Sequence, residues 1–333
     1  MRLTANELAR EAAATGFQTE PLEKVILLLE LLEAIRSHPF LKERMALKGG
    51  TALNLFRFDV PRLSVDIDLN YVGAVDREGM LADRAKIEKA LHAVCGRVGV
   101  QPRRVPFDHA GGKWRLNFNR VAGGTSTLEM DVNFLLRTPL WPVERVDSRP
   151  VGPFHATDIP VLDIHELAAG KLAALLSRTA SRDLFDASQL LRGGGFDAAK
   201  LRLACLVYGG TSRKDWRTAS VDNITVDAAD AGAILLPLLR GRETPNRKDL
   251  AKWTQALMTD CRELLSMVLP LAAHELKFLE RLNGKGEVVP DLITDDQRIQ
   301  DIIRAHPGLL WKAQNVRHHR GEASDTYWAG SDA

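Results

Sequence analysis

The chain has 333 residues, 45% of them hydrophobic, a formal net charge of +2 and three cysteines. That length can bury a substantial core in two or three lobes of ~100–200 residues each, and so small a net charge argues against a protein that coats nucleic acid by bulk charge. The longest apolar run, from Val25, is broken by Glu30 and Glu33, so neither a membrane span nor a secretion signal is expected. Cys95, Cys205 and Cys261 show no Cys-x-x-Cys spacing, which speaks against zinc and for a reducing cytoplasm.

In chain order, Thr4 with Glu7 reads as a capping box opening a short helix that stops near Gly16. Thr19-Glu20-Pro21 opens a second helix to about Ser37. A strand is expected from Arg44 to Lys48, a turn at Gly49-Gly50, a helix start at "TALNLF", and an alternating strand from Ser64 to Val72. "KIEKALHAVCGRVG" is a helix closed by glycine, and "WRLNFNR" with "STLEMDVNFLLR" alternate as antiparallel neighbours around Gly123-Gly124. "DSRPVGPFHATDIPVLDI" reads as a connector, Asp163 with Glu166 as another capping box, and "HELAAGKLAALLSR" and "SRDLFDASQLLRGGG" as helices. The expected class is α+β: a mixed sheet domain with N-terminal helices over residues 1–150, then a mostly helical domain over 151–333 whose polar tail frays.

Side chains alternate along a strand, so Ser64, Asp66 and Asp68 share one face, as do Glu129, Asp131 and Asn133 on the later strand. Two carboxylates ~7 Å apart repel unless a cation lies between them, and magnesium completed by phosphate oxygens suits such a pair. If the two strands are neighbours, Asp131 adds a third metal carboxylate, whereas Glu129 reads as solvated. Glycines at a strand-to-helix turn let backbone amides approach a phosphate. Together these features favour nucleotidyl transfer over hydrolysis, with a nucleoside triphosphate as substrate.

Lys171 stands in the apolar stripe Ile164, Leu167, Leu175, with Arg178 one step further, so it needs an anion such as a triphosphate. Asp183 and Asp186 share a helix face and can orient those cations or simply pair with them. Each feature has a plainer counterpart. An Asp-x-Asp is often a wet strand face, a lysine in an apolar stripe can snorkel, and Ser64 can be small for steric reasons alone.

The ordered set "LKGGTALNLF…RLSVDIDL…LEMDVNF…GKLAALLSR…RDLFD", over residues 47 to 186, resembles the nucleotidyltransferase toxins of the AbiE type (AbiEii, MenT) of type IV toxin–antitoxin systems. The resemblance implies a DNA-polymerase-beta-like nucleotidyltransferase fold. It also implies a nucleotide and metal motif at Gly49, Gly50, Thr51, Arg62, Ser64, Asp66 and Asp68, a third carboxylate at Asp131, a triphosphate lysine at Lys171 with Arg178 beside it, and a later acidic motif at Asp183 or Asp186. It further implies two magnesium ions, transfer of a nucleotide to the 3′ acceptor end of tRNA that blocks translation, and a cognate antitoxin; separately, a monomer is expected. "QPRRV", "GGKWRLNFNR" and "WKAQNVRHHR" are basic enough for RNA phosphates. Two other classes compete: a transferase acting on an aminoglycoside-like small molecule or a protein, and a non-enzymatic binding module that keeps the fold.

Overall fold

The structure, a computed structural model, describes residues 3–105 and 111–321. The tail expected to fray lies outside these from residue 322 onward.

Two helices open the chain, α1 (Ala5–Thr15) and α2 (Thr19–Ser37). The reciprocal Thr4–Glu7 box is formed, and Gly16 closes α1 in the left-handed region. β1 (Met45–Lys48) leads into α3 (Gly49–Thr51), which continues as π-helical turns over Ala52–Arg57. β2 (Asp66–Tyr71), α4 (Arg77–Val98), β3 (Gln101–Val105), β4 (Gly111–Asn119) and β5 (Thr125–Asn133) follow. β6 (Glu144–Val146) and β7 (Ile159–Val161) complete a seven-stranded sheet of order β3-β4-β5-β2-β1-β7-β6.

β4 and β5 pair antiparallel, as their alternation predicts, while β2 and β5 pair parallel. One sheet face is apolar: Ile67 and Leu69 of β2, Trp114, Leu116 and Phe118 of β4, and Leu128, Met130 and Val132 of β5 are all buried. α4 supplies Met80, Ile87, Leu91 and Val94 to that core and lies against α2 and β3. The opposite face keeps the polar residues of the same strands, a one-in-two alternation that fixes which side chains meet the site.

The segment read as a connector is not one throughout, because β7 lies inside it. Pro160 is tolerated there since β7 meets β1 at a single register pair, Leu47↔Val161, so the missing N–H breaks no long ladder. The second capping box is also corrected. Asp163 caps α5 (Ile164–Arg178) by accepting from the His165 N–H, but Glu166 turns inward and accepts from the N–H groups of Leu140 and Trp141.

Beyond α5 the chain is helical: α6 (Ser181–Gly193), α7 (Ala198–Thr211), α8 (Ala228–Asp230, carried on by π turns over Ala231–Leu235), α9 (Leu250–Leu264), α10 (Ala273–Glu280), α11 (Gln297–Arg304) and α12 (Pro307–His319). α5 packs on α6 and α7. The helical half returns to the sheet just before β2, where Leu63 N–H donates to Leu238 and Arg240 N–H to Pro61. No helix among the described residues is long and apolar enough to cross a membrane.

Candidate active site

Lys48 ends β1, and the chain turns at Gly49 with φ +72°, a value that favours glycine. A second reason is spatial: a Cβ on Gly49 would lie 2.2 Å from Asp68 Oδ2. The glycine turn and the strand carboxylate therefore occupy touching positions. A Cβ on Gly50 would lie 2.9 Å from both Arg62 Nη2 and Ser64 Oγ, so this turn also grazes the segment entering β2.

On β2, Asp66 and Asp68 project from the same half-exposed face. The parallel register sets Asp131 directly opposite Asp68 and Glu129 opposite Asp66, while β1 sets Lys48 on the other side of Asp68. Four carboxylates thus share one face of two adjacent strands. Burial pushes the Asp66 and Asp131 carboxyls above the usual range, and the Asp68 charge adds to both shifts; Arg182, 3.2 Å from Asp66 Oδ2, and Lys48 near Asp131 offset this only in part.

Behind the rim lies a paired cluster, buried except for Arg178, whose side chain is 65% exposed. Asp186, fully buried, accepts from Arg62 Nε at 2.7 Å and Nη2 at 2.5 Å and from Asn54 Nδ2 at 2.9 Å. Lys171 Nζ stands 2.8 Å from Asp183 Oδ1 and 2.9 Å from Asp186 Oδ2, and Arg178 Nε reaches Asp183 at 2.5 Å. Burial opposes ionisation of both aspartates, but Lys171 with Arg178 outweighs it at Asp183, and Arg62 with Lys171 at Asp186, holding both carboxyls below their ordinary range. Three cations face two carboxylates, leaving one net positive charge beside the glycine turn.

A cavity of about 640 Å³ gathers most of the predicted residues: Gly49, Gly50, Arg62, Ser64, Asp66, Asp68, Asp131, Lys171, Arg178 and Asp183 all line it. Two predicted residues stand off the lining. The Thr51 hydroxyl is buried and donates to the Asp66 carbonyl at 2.5 Å, so it fixes the strand rather than facing a nucleotide. Asp186 acts one step back, as the anchor of Arg62. Ser64 precedes β2 instead of lying within it and is 4% exposed.

The cavity also holds residues the pattern did not flag. Lys48, Lys113 and Arg182 line it, and Lys113 Nζ pairs with Glu129 Oε2 at 2.6 Å. Its far wall includes Leu136, Leu162, Leu167 and Gly170, with Tyr208 and the buried Glu166. Burial lifts the Glu166 carboxyl to about 7 against the opposing bonds from Leu140, Trp141 and Tyr208. Arg182 was visible in the sequence as the neighbour of Asp183, but no periodicity separates such an arginine from a solvated one.

Among the described residues no group of three or more Asp, Glu, His or Cys side chains is arranged to hold a metal ion by itself. The donor set still fits a divalent cation that shares its shell with substrate oxygens. Hard carboxylate oxygens of Asp66, Asp68 and Asp131 stand on one face, two of them with raised carboxyls, next to a glycine whose missing Cβ keeps the space at Asp68 clear.

The fold is a nucleotidyltransferase fold. It is similar to that of MenT4, a nucleotidyltransferase toxin from Mycobacterium tuberculosis H37Rv, with a TM-score of 0.56 and 18% identity over 93% of this chain and 99% of that one. Residues 30–274 match the family model described as the AbiEii nucleotidyl transferase toxin of type IV toxin–antitoxin systems, and the chain belongs to that family. No curated protein sequence matches it.

Proposed function

We propose that the protein is the toxin of a toxin–antitoxin pair and transfers a nucleoside monophosphate from a nucleoside triphosphate to the 3′ acceptor end of tRNA in the cytoplasm, so that translation stops. One observation carries this reading: the register that sets Asp131 opposite Asp68, with Asp66 on the same face, against a glycine turn with no room for a side chain.

Asp66, Asp68 and Asp131 would hold magnesium, two ions in the full assembly; such ions lower the pKa of an attacking hydroxyl and stabilise a leaving pyrophosphate. The chain's own residues do the rest. Gly49 and Gly50 admit phosphate oxygens to the backbone of the turn, and the net positive charge of Arg62, Lys171 and Arg178 against Asp183 and Asp186 favours a polyanion there. Lys171 acts from within its two ion pairs, so it contributes as part of that cluster and not as a free cation. Arg178 and Arg182, both on the lining, are placed to meet the outer phosphates. The apolar wall of Leu136, Leu162 and Leu167 gives the base a dry surface.

The test incubates the purified protein with total RNA and each α-labelled nucleoside triphosphate in turn. Labelling of tRNA-sized RNA by one or more nucleotides, abolished by a chelator and restored by magnesium, is expected. Labelling of an aminoglycoside or a protein with none of RNA would overturn the acceptor assignment.

A further inference from the structure

The polar face of the sheet does not end at the carboxylates. Through the register, Asp66 stands beside Glu129, Glu129 beside Arg115, and Arg115 beside Arg103, one unbroken row from β2 to the sheet edge. A parallel row runs from Asp68 through Asp131 to Lys113, and a third joins Thr127, Asn117 and Gln101. Trp114, Leu116 and Phe118 fill the opposite face, so this one is left to solvent over β4 and β3: the Arg115 side chain is 60% exposed, and Arg103 is exposed with no carboxylate partner among the described residues.

The charge along this stretch is uneven. Lys113, Arg115 and Arg103 contribute three cations; among the described residues two carboxylates face them, Glu129 at 2.6 Å from Lys113 and 3.7 Å from Arg115, and Asp131 opposite Lys113 in the register. One positive charge is left over, and it falls at the outer end, on Arg103. Three strand spacings of ~4.8 Å put Arg103 ~14 Å from Asp66, the reach of about four stacked nucleotides at ~3.4 Å each. A recessed space of about 340 Å³ lies among Arg103, Arg115, Asn117 and Thr127. Apart from Val105 the described residues of this face offer hydrogen-bonding and cationic groups, the chemistry of phosphate and sugar contacts, and none of the apolar and aromatic anchors of a protein interface.

We infer that this bare face of β3, β4 and β5, led by Arg103 and Arg115, is the track on which the acceptor polynucleotide's backbone lies as its 3′ end enters the carboxylate cavity. The inference rests on the acceptor being RNA and names the surface that receives it.

The experiment uses the full chain with Arg103→Glu and Arg115→Glu together, and as a charge-matched control Lys89→Glu with Arg97→Glu, both exposed on α4 across the sheet. A fluorescent single-stranded RNA is titrated at several salt concentrations, transfer kinetics are recorded, and nucleoside triphosphate binding is measured by calorimetry. For the sheet variant, KM for RNA should rise at least tenfold, with kcat and triphosphate affinity unchanged. Its salt slope should be shallower by about 1.4, at ~0.7 per phosphate contact on a single strand. The control should match the wild type. Equal RNA binding and salt slope in sheet variant and wild type would overturn the track while leaving the RNA acceptor standing. A wild-type protein that binds no RNA would overturn both. Unchanged RNA binding with lost neutralisation by the antitoxin would assign the face to a protein partner instead.

Discussion

The two acidic groups of this site are built from the same residues and behave oppositely. Asp66 and Asp131 at the rim are half-exposed, face further carboxylates and carry raised carboxyls. Asp183 and Asp186 behind it are buried, surrounded by cations and shifted down. Burial pushes all four the same way, so the difference lies in the partners: cations outweigh burial at the inner pair and offset it only in part at the rim. An acid whose charge the folded chain compensates only in part is one the fold leaves for something that arrives; an acid fully paired holds the frame.

The sharpest way to break this comparison is Asp186→Asn. It leaves Arg62 and Lys171 buried with one carboxylate fewer, so stability should fall by about 3–5 kcal/mol in denaturant unfolding. A variant as stable as wild type would deny the cluster its structural role. The rim variant Asp66→Asn should do the reverse. Transfer should slow at least a thousandfold, about 4 kcal/mol of barrier, with a melting temperature that holds or rises because repulsion with Asp68 is relieved. Transfer near the wild-type rate by the folded variant would remove Asp66 from the chemistry.

Glu166 extends the contrast to pH. Its folded carboxyl is raised to about 7 from an ordinary 4.5, so the folded state binds the proton more tightly than the unfolded one. Its contribution is fully present below about 4.5 and is lost as pH rises through about 7, up to about 3 kcal/mol in all. Glu166→Gln should therefore flatten the decline of stability across that window; melting curves from pH 4.5 to 7.5 that superpose in shape would contradict the assignment. Smallest is Gly49→Ala. A left-handed alanine costs about 1–2 kcal/mol, and its methyl displaces Asp68, so manganese affinity read by paramagnetic resonance should fall along with transfer.

Much of the rim was legible because strand alternation is local: Asp66 and Asp68 share a face whatever the rest of the chain does. What alternation cannot supply is the partner strand. The parallel pairing of β2 with β5, which turns Asp131 from a candidate into a neighbour of Asp68, depends on α4, β3 and β4 intervening in the chain. The inner cluster was harder. Lys171 in an apolar stripe signalled a buried cation, and Asp183 and Asp186 on one helix face were its candidate partners, but the bond of Asp186 to Arg62 belongs to packing, not to spacing. Glu166 shows the same limit from the other side. Its distance from Asp163 matches a capping box, and only the nearby N–H groups of Leu140 and Trp141 draw it inward. Thr51 likewise sits within a phosphate-like motif yet spends its hydroxyl on the Asp66 carbonyl.

The bond between Arg62 and Asp186 spans 124 positions of the chain and joins the sheet half to the helical half between two buried side chains. Exchanging either half alone would therefore break this bond. A recombination that supplied new helices without an aspartate at that place would leave a guanidinium stranded in the interior, beside the turn that defines the site. Variation in what the toxin acts on is then expected to accumulate on the surface around the cavity, by point substitution, while the two halves descend together.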